Sequence, residues 1–588
     1  MSGNLSTPGD VANAPGQQTG NRRSGDADGF RGKWRNSAFG ASRLRAYWAS
    51  DAGKVILVAT VLALAIRLFT LTRPGFLTGV TEYDDGVYIG GSIRITEGQL
   101  PYVNFSTVQP PGIYELMLPV ALLAKAISTV KALAVARVLT ALASTACIPL
   151  VGNLVRYRGA VVTAVACGAL AVYPPDISTA HTLLLEPWMN LFCLIAVNLA
   201  FRRGHLERPV MLGWAGVVLG FAGVIKFWAA APALVLLVLC LLLKTDRGRR
   251  VRNYVLGLVV GFVIPAAPFL VTAPVTFIRS TIFDQAAREG SPVAFGVKMA
   301  NLTGLIDVYS DTGKLMLNAG ANSMFAAGEG AGIGDAHSIG WLPVLAAIVL
   351  IALLVVGYVR QGRRLTALEL LSLATAVIAT IMVTAYSAFF YHYADFPAPW
   401  IALSLGGAAG ALAGHRRWSK VAMEVFAALI LLVTVLQVRE MYPLQRTGAQ
   451  ALASQIPPGA CLVTDEVSLT IAADRFANLP PGCPDIVDSL ADTLVLSNGV
   501  SVQGGAQNMP AVVAQWQTWL SKADYVLLSP AQGSRRRIPW TPALSAWFNA
   551  EFVPDGAPSG ATGQLYQRVN YTPPAGYPSA TSVAQSAS

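Results

Sequence analysis

The stretch VILVATVLALAIRLFTL, residues 55–71, followed about a dozen residues later by EYDDGVY, residues 82–88, sets the architecture of this chain. The first segment is apolar over a length that crosses a bilayer core as a helix. The second gathers Glu82, Asp84 and Asp85 just beyond it. Carboxylates beside a bilayer are costly unless they work in a wet cavity or at its rim. Some twenty residues on come Pro101-Tyr102-Val103-Asn104-Phe105 and Gln109-Pro110-Pro111-Gly112. An acidic cluster, an amphipathic stretch and a Pro-Pro turn outside a first span predict a membrane-embedded active site.

The composition agrees. Of 588 residues, 54% are hydrophobic and 13% charged, against about 25% charged in soluble proteins. The chain reads as a polytopic membrane protein. Its net charge of +11 sits in short loops between apolar spans, a membrane-orientation signal rather than a nucleic-acid footprint. Apolar spans recur at 131–154, 159–174, 183–201, 210–226, 227–243, 253–273, 341–358, 365–386, 396–414 and 418–437. Basic residues at Arg22 to Lys54, Arg156/Arg158, Arg202/Arg203, Lys244 to Arg252, Arg360/Arg363/Arg364 and Arg416/Arg417/Lys420 fall to the cytoplasmic side by positive-inside counting. Residues 72–111, the turn at 174–182, Lys226, the long loop 274–340, Tyr391-His392-Tyr393 and everything after 440 then face outward. Residues 112–127 are short for a crossing and read as a partial or interfacial helix, or as half of a broken span. The expectation is mainly α: a helical bundle of about 11 to 13 spans, N-terminus inside and C-terminus outside.

Residues 1–50 are polar and basic, without a signal-peptide core, and read as a disordered cytoplasmic tail. Residues 51–440 form the transmembrane domain. From 441 to 570 the character changes. Val463-Thr464-Asp465, Ala523 to Leu528 and Gln564-Leu565-Tyr566 read as strands, and Val512 to Leu520 as an amphipathic helix. A small extracytoplasmic α/β domain follows. Residues 571–588 read as a disordered tail. Cys147, Cys167, Cys193 and Cys240 lie in apolar spans as packing residues. Cys461 and Cys483 lie in the polar region, where an oxidising compartment permits a disulfide.

At the level of motifs, Glu82-Tyr83-Asp84-Asp85, Gly98-Gln99-Leu100-Pro101-Tyr102 and Gln109-Pro110-Pro111 together resemble the GT-C glycosyltransferases. The branch is that of protein O-mannosyltransferases and the lipid A aminoarabinose transferase. Gln109 stands where that branch often has His. Leu185-Glu186-Pro187-Trp188, Gly223-Val224-Ile225-Lys226 and Tyr391-His392-Tyr393 ahead of Phe396-Pro397 extend the resemblance, His392 standing for an Arg. The resemblance covers about 50–440. It implies an inverting transfer of a sugar from a polyprenyl-phosphate donor, drawn from the bilayer, to an envelope glycan, lipid or protein at the outer face of the plasma (inner) membrane of a bacterium. Mannose is preferred over arabinose as the sugar. A divalent cation, Mg2+ or Mn2+, held by Asp84, Asp85 and Glu186, is the one cofactor it raises. Oligomeric state is left open.

The chemistry assigns roles. An acceptor hydroxyl loses a proton as it attacks the anomeric carbon, and a carboxylate can take it. Asp84 and Asp85 are adjacent, so they cannot share one face of a helix or strand. Asp84 is favoured as base over Asp85, with the other orienting a loop or a metal. The bland alternative is a helix N-cap cluster. The leaving phosphate needs cations, for which Lys226, Arg279, Arg288 and His392 are candidates. Lys226 reads equally as an interface anchor, His392 and Tyr393 as part of an aromatic belt, and Arg279 and Arg288 as a solvated helix face. Glu186, ionisable at a span's outer end, positions acceptor or metal, or pairs with an arginine. Glu82, Tyr88, Tyr102 and Gln109 complete the substrate-binding set. No zinc spacing, Walker loop or Ser-His-Asp order is present. The competing classes are a secondary transporter or lipid flippase, and an inactive accessory protein of the same fold. No repeat between halves favours the transporter.

Overall fold

The computed structural model describes residues 48–577 apart from 288–294, most of 303–363, 387–388, most of 413–453, 530–536, 556–563 and isolated positions. Helix α1 (Asp51–Leu71) is the first span. After it, α2 (Tyr83–Thr96) carries the acidic cluster and is capped by Glu82, whose carboxylate accepts the Tyr83 N–H at 3.0 Å. Then follow α3 (Gly112–Ala126), α4 (Thr129–Val155), α5 (Ala160–Ala171), α6 (Pro174–Ala180), α7 (Leu185–Ala200), a two-strand hairpin β1 (Phe201–Arg202) and β2 (His205–Leu206), α8 (Pro209–Ile225), α9 (Ala230–Leu242) and α10 (Arg247–Thr272). Beyond 363 come α11 (Ala367–Ala385) and α12 (Ala398–Leu412).

Among the described residues, α1, α4, α10 and α11 are long and apolar enough to cross a membrane. The pair α5 and α6, bent by 53°, makes one more if taken together, and α7, α8 and α9 are shorter apolar helices. These match the apolar runs read from sequence. The 15-residue α3, with Pro119 inside it, is the short helix expected at 112–127. The runs at 341–358 and 418–437 lie largely outside the described residues, as do most of both tails.

Two devices hold the helices together. Helices α8 and α10 touch backbone to backbone. A Cβ at Gly261 would lie 1.9 Å from the Val217 carbonyl oxygen, and one at Gly257 2.1 Å from that of Gly213. Small residues at such a crossing replace the hydrophobic drive that lipid removes. The second device is buried charge. Arg67 of α1 forms an ion pair with Asp176 of α6, and its Nε donates to Ser144 of α4 at 2.7 Å. Arg137 of α4 donates to Asp85 of α2 and to the Phe76 and Gly79 carbonyls at 2.9 and 2.8 Å.

The C-terminal segment builds a mixed sheet from β3 (Leu462–Thr464), β4 (Tyr525–Leu528), β5 (Phe552–Pro554) and β6 (Gln564–Arg568), in the order β3-β4-β6-β5. Only β3 and β4 run parallel. Between the strands lie α13 (Val467–Ala472), α14 (Ser489–Leu496), α15 (Pro510–Ser521) and α16 (Pro542–Glu551). Strand alternation gives the sheet two faces. Val463 and Val526 join Trp516 of α15 and Phe548 of α16. Leu462, Tyr525 and Leu527 join Leu469 of α13 and Val80 from the loop before α2. Cys461 and Cys483 are joined in a disulfide. Residues Asp51–Ser588 cluster as a single compact unit, so this segment is packed onto the helices rather than set apart from them.

Candidate functional site

Chain breaks between helices deliver the polar groups. Glu186 sits in the first turn of α7, where the positive end of the helix favours a carboxylate. Lys226 follows α8 in extended conformation (φ −154°, ψ 129°), ahead of a short 3-10 turn at Phe227–Ala229. His392 lies in a second such turn, Tyr391–Asp395, before α12. The three meet. Lys226 Nζ is hydrogen-bonded to Glu186 Oε1, and His392 Nδ1 lies 3.0 Å from that same oxygen. Among the described residues, the other Glu186 oxygen is buried and accepts no hydrogen bond. The Lys226 ammonium also lies over two rings, 3.9 Å from the centroid of Trp228 and 4.5 Å from that of Tyr393, the arrangement that attracts a cation to an aromatic face.

The acidic helix reaches the same place. Tyr391 Oη donates to Glu82 Oε2 at 3.2 Å. Burial, reinforced by the Asp84 charge and opposed by His392, pushes the Glu82 carboxyl up to about 7. Tyr88 Oη donates to Asp84 Oδ2 at 3.2 Å, and its ring meets Tyr114 edge-on. Asp84 is partly exposed, and among the described residues Tyr88 is its hydrogen-bonding partner.

Asp85 is the opposite case. It is fully buried. Its Oδ2 accepts from Arg137 Nη2 at 2.5 Å, Thr182 Oγ1 at 2.8 Å and Thr81 Oγ1 at 3.2 Å. Its Oδ1 accepts from Ser468 at 3.1 Å. A fully buried carboxylate with an arginine and three hydroxyls on it is committed to tertiary structure.

The remaining sequence candidates are placed elsewhere. The Tyr102 ring packs edge-on against Phe269 and Phe277, and its hydroxyl donates to the Gln109 carbonyl at 2.5 Å. Both brace the outer loop. Arg279 is in a π-helical turn, Arg279–Asp284, donating to Asn498 at 2.5 Å and facing Asp284 at 3.6 Å. It ties the loop after α10 to the C-terminal segment. Arg288 lies outside the described residues.

The proposed three-carboxylate metal set does not assemble. Asp85 is spent on Arg137 and Glu186 on Lys226 and His392, and the described residues contain no cluster of three or more His, Cys, Asp or Glu that would hold a metal ion.

Sequence reading missed Arg67, Arg137, Ser468 and Arg537, and noted Tyr391 only within the Tyr391-His392-Tyr393 motif. For the first two a signal existed, since an arginine inside an apolar run is a flag in itself. Ser468 and Arg537 carry no such mark. Their importance exists only through distant packing.

No family model matches the chain, and no curated protein matches it. Solved structures do. The oligosaccharyltransferase AglB from Archaeoglobus fulgidus, in complex with an inhibitory peptide and a dolichol-phosphate, is 13% identical with a TM-score of 0.50; the match covers 90% of this chain and 75% of that one. ArnT from Cupriavidus metallidurans, bound to undecaprenyl phosphate, is 14% identical over 88% of this chain and 99% of that one, with a TM-score of 0.44. The arabinofuranosyltransferase AftD from Mycobacteria is 13% identical over 87% of this chain and 40% of that one, at 0.42. With AglB as the likeness that carries the assignment, this chain has the fold of the GT-C membrane glycosyltransferases.

Proposed function

We propose that the protein is a glycosyltransferase that moves a sugar from a polyprenyl-phosphate donor to an envelope acceptor at the outer face of the plasma membrane. The observation that carries this reading is a partly exposed carboxylate, Asp84, on a helix whose Glu82 cap is bonded to Tyr391, next to the buried His392 that meets Lys226 on Glu186. The fold supports it, as does the dolichol-phosphate bound to AglB.

In this reading the acceptor hydroxyl attacks the anomeric carbon and gives its proton to Asp84. The bond to the polyprenyl phosphate breaks on the opposite face, so the configuration inverts. Charge gathers on the leaving phosphate, and Lys226 and His392 stabilise it from fixed positions in a site poor in water. Glu186 orients both and offers its second oxygen to a hydroxyl. Tyr88 orients Asp84. Mannose is the preferred sugar by resemblance. The N-terminus and the basic loops lie in the cytoplasm, and the C-terminal α/β segment lies outside.

The test is transfer of radiolabelled sugar from undecaprenyl-phosphate donors in membranes. Asp84→Asn lowers the rate by roughly 10²- to 10⁴-fold, the usual worth of a general base, while the folded protein remains in the membrane at wild-type amount. A fully active variant rules out Asp84 as the base. A reporter fused after residue 577 that is active in the cytoplasm overturns the sidedness.

A further inference from the structure

The first turn of the acidic helix is held by the C-terminal segment as well as by its own Glu82 cap. Asp84 stands between Tyr83 and Asp85, and the side chains of both neighbours are gripped by the C-terminal segment. Tyr83 Oη donates to Asp488 Oδ1 at 2.8 Å and accepts the Leu490 N–H at 3.2 Å. The Arg537 guanidinium lies 3.4 Å from the centroid of the Tyr83 ring and pairs with Glu466 at 3.8 Å. On the other side, Ser468 Oγ lies 2.7 Å from the Glu82 carbonyl, 3.0 Å from that of Tyr83 and 3.1 Å from Asp85 Oδ1. Those are backbone acceptors at the cap of α2 and the carboxylate that anchors Arg137. The approach is close enough to require glycine at 86, where a Cβ would sit 2.5 Å from the Ser468 nitrogen and 2.6 Å from its Cα. Every group in this grip is buried except Arg537 and Leu490, which are partly so.

We propose that Ser468 and the Tyr83–Asp488 contact are positioning elements for Asp84: the C-terminal segment fixes the direction in which the proposed base points. This deepens the function proposed above and rests on it. Among the described residues, Tyr88 is the hydrogen-bonding partner of Asp84. The aim of Asp84 is therefore inherited from the backbone of residues 82–85, whose Glu82 and Tyr83 carbonyls are held by Ser468, 386 and 385 residues away, while the side chains of Tyr83 and Asp85 are held from 383 to 407 residues away. The segment then acts on turnover itself, in addition to any contact with acceptor. A displacement of the base by about 1 Å is enough to cost on the order of 100-fold in rate.

Two variants of the full-length protein in lipid nanodiscs test this, Ser468→Ala and Tyr83→Phe. The donor probes are undecaprenyl-phosphate mannose and undecaprenyl-phosphate arabinose. The expected result is a kcat lower by about 10- to 100-fold, a donor KM within about twofold of wild type, and a melting temperature that stays well above the assay temperature, lowered by a few degrees for the lost buried hydrogen bonds. A second readout needs no donor. Asp84→Cys is labelled with a membrane-impermeant thiol reagent with and without Ser468→Ala. The four cysteines outside the disulfide are buried and give little background. Labelling at 84 rises severalfold when Ser468 is removed, while Val103→Cys in the exposed outer loop is labelled at the same rate in both. Unchanged kcat, a loss confined to KM, a fall in rate that disappears when the assay is run at a lower temperature where the variant is fully folded, or unchanged labelling each overturns the proposal. An inactive Asp84→Asn beside fully active Ser468→Ala and Tyr83→Phe removes only this inference. An active Asp84→Asn removes the base assignment and the inference with it.

Discussion

Asp84 and Asp85 are one peptide bond apart and chemically identical, yet their surroundings differ sharply. Asp85 is buried and accepts from four side chains, whereas Asp84 is partly exposed and, among the described residues, accepts from Tyr88. Removing Arg137 tests the role of Asp85. Arg137→Met leaves a buried carboxylate unpaired and costs about 3–5 kcal/mol of stability. Arg137→Met with Asp85→Leu recovers most of that loss, as measured by unfolding in detergent. The adjacency itself was legible in the sequence, since neighbours on a helix cannot face one acceptor. What the residues alone left open was which of the two was committed, because Arg137 and Ser468 arrive from 52 and 383 positions away. A second residue behaves as a titrating load. Burial pushes the Glu466 carboxyl up to about 8, against the pull of Arg537. Its neutral form is favoured in the fold, so the stability it contributes is complete below about 4.5 and is lost as pH rises through about 8. Glu466→Gln therefore leaves thermal stability at pH 4.5 unchanged and raises it at pH 8.5, read as melting temperature against pH.

At the scale of elements, the hydropathy pattern located the helices well because lipid enforces it: a backbone in hydrocarbon must satisfy itself within a helix. The runs at 183–201, 210–226 and 365–386 correspond to α7, α8 and α11 within a few residues. The pattern said little about which helices touch. The α8–α10 crossing depends on Gly213 with Gly257 and on Val217 with Gly261, pairs invisible to a hydropathy window. Gly261→Val pushes a side chain into the Val217 carbonyl and costs about 1–3 kcal/mol, seen as a lower melting temperature of the purified protein. The breaks between helices matter as much as the helices. Glu186, Lys226 and His392 all sit at helix termini or in 3-10 turns, where free backbone groups and side chains converge without competing for helical hydrogen bonds. In the C-terminal segment, β3, β4, β6 and α15 were readable from alternation and amphipathicity. The three-residue β5 and the short α13 and α14 carry too few residues for a period to show.

For the whole molecule, the boundary drawn near 440 marks a change in composition but not a mechanical seam. Val80 before α2 is buried in the same core as Leu462, Tyr525 and Leu527. The disulfide closes a loop of 22 residues beside β3, a cross-link worth about 3 kcal/mol in the chain-entropy account. Because the sheet supports the acidic helix, Cys461→Ser with Cys483→Ser lowers sugar-transfer activity at 37 °C as well as the melting temperature. Retention of both would mean the cross-link is dispensable.

The helix that supplies Arg137 begins at Thr129, and its leading N–H and hydroxyl are received by Asp474 at 2.8 and 2.9 Å, 345 positions further along. A ribosome adding about 5–20 residues per second needs roughly 20 to 70 s to travel that distance. Throughout that interval the nascent chain owns a half-finished helix end, waiting in the bilayer for a partner not yet made. Completion of the helix that carries Arg137 is thereby deferred to the last stage of synthesis, and a polypeptide halted short of Asp474 is expected to insert without completing the proposed site.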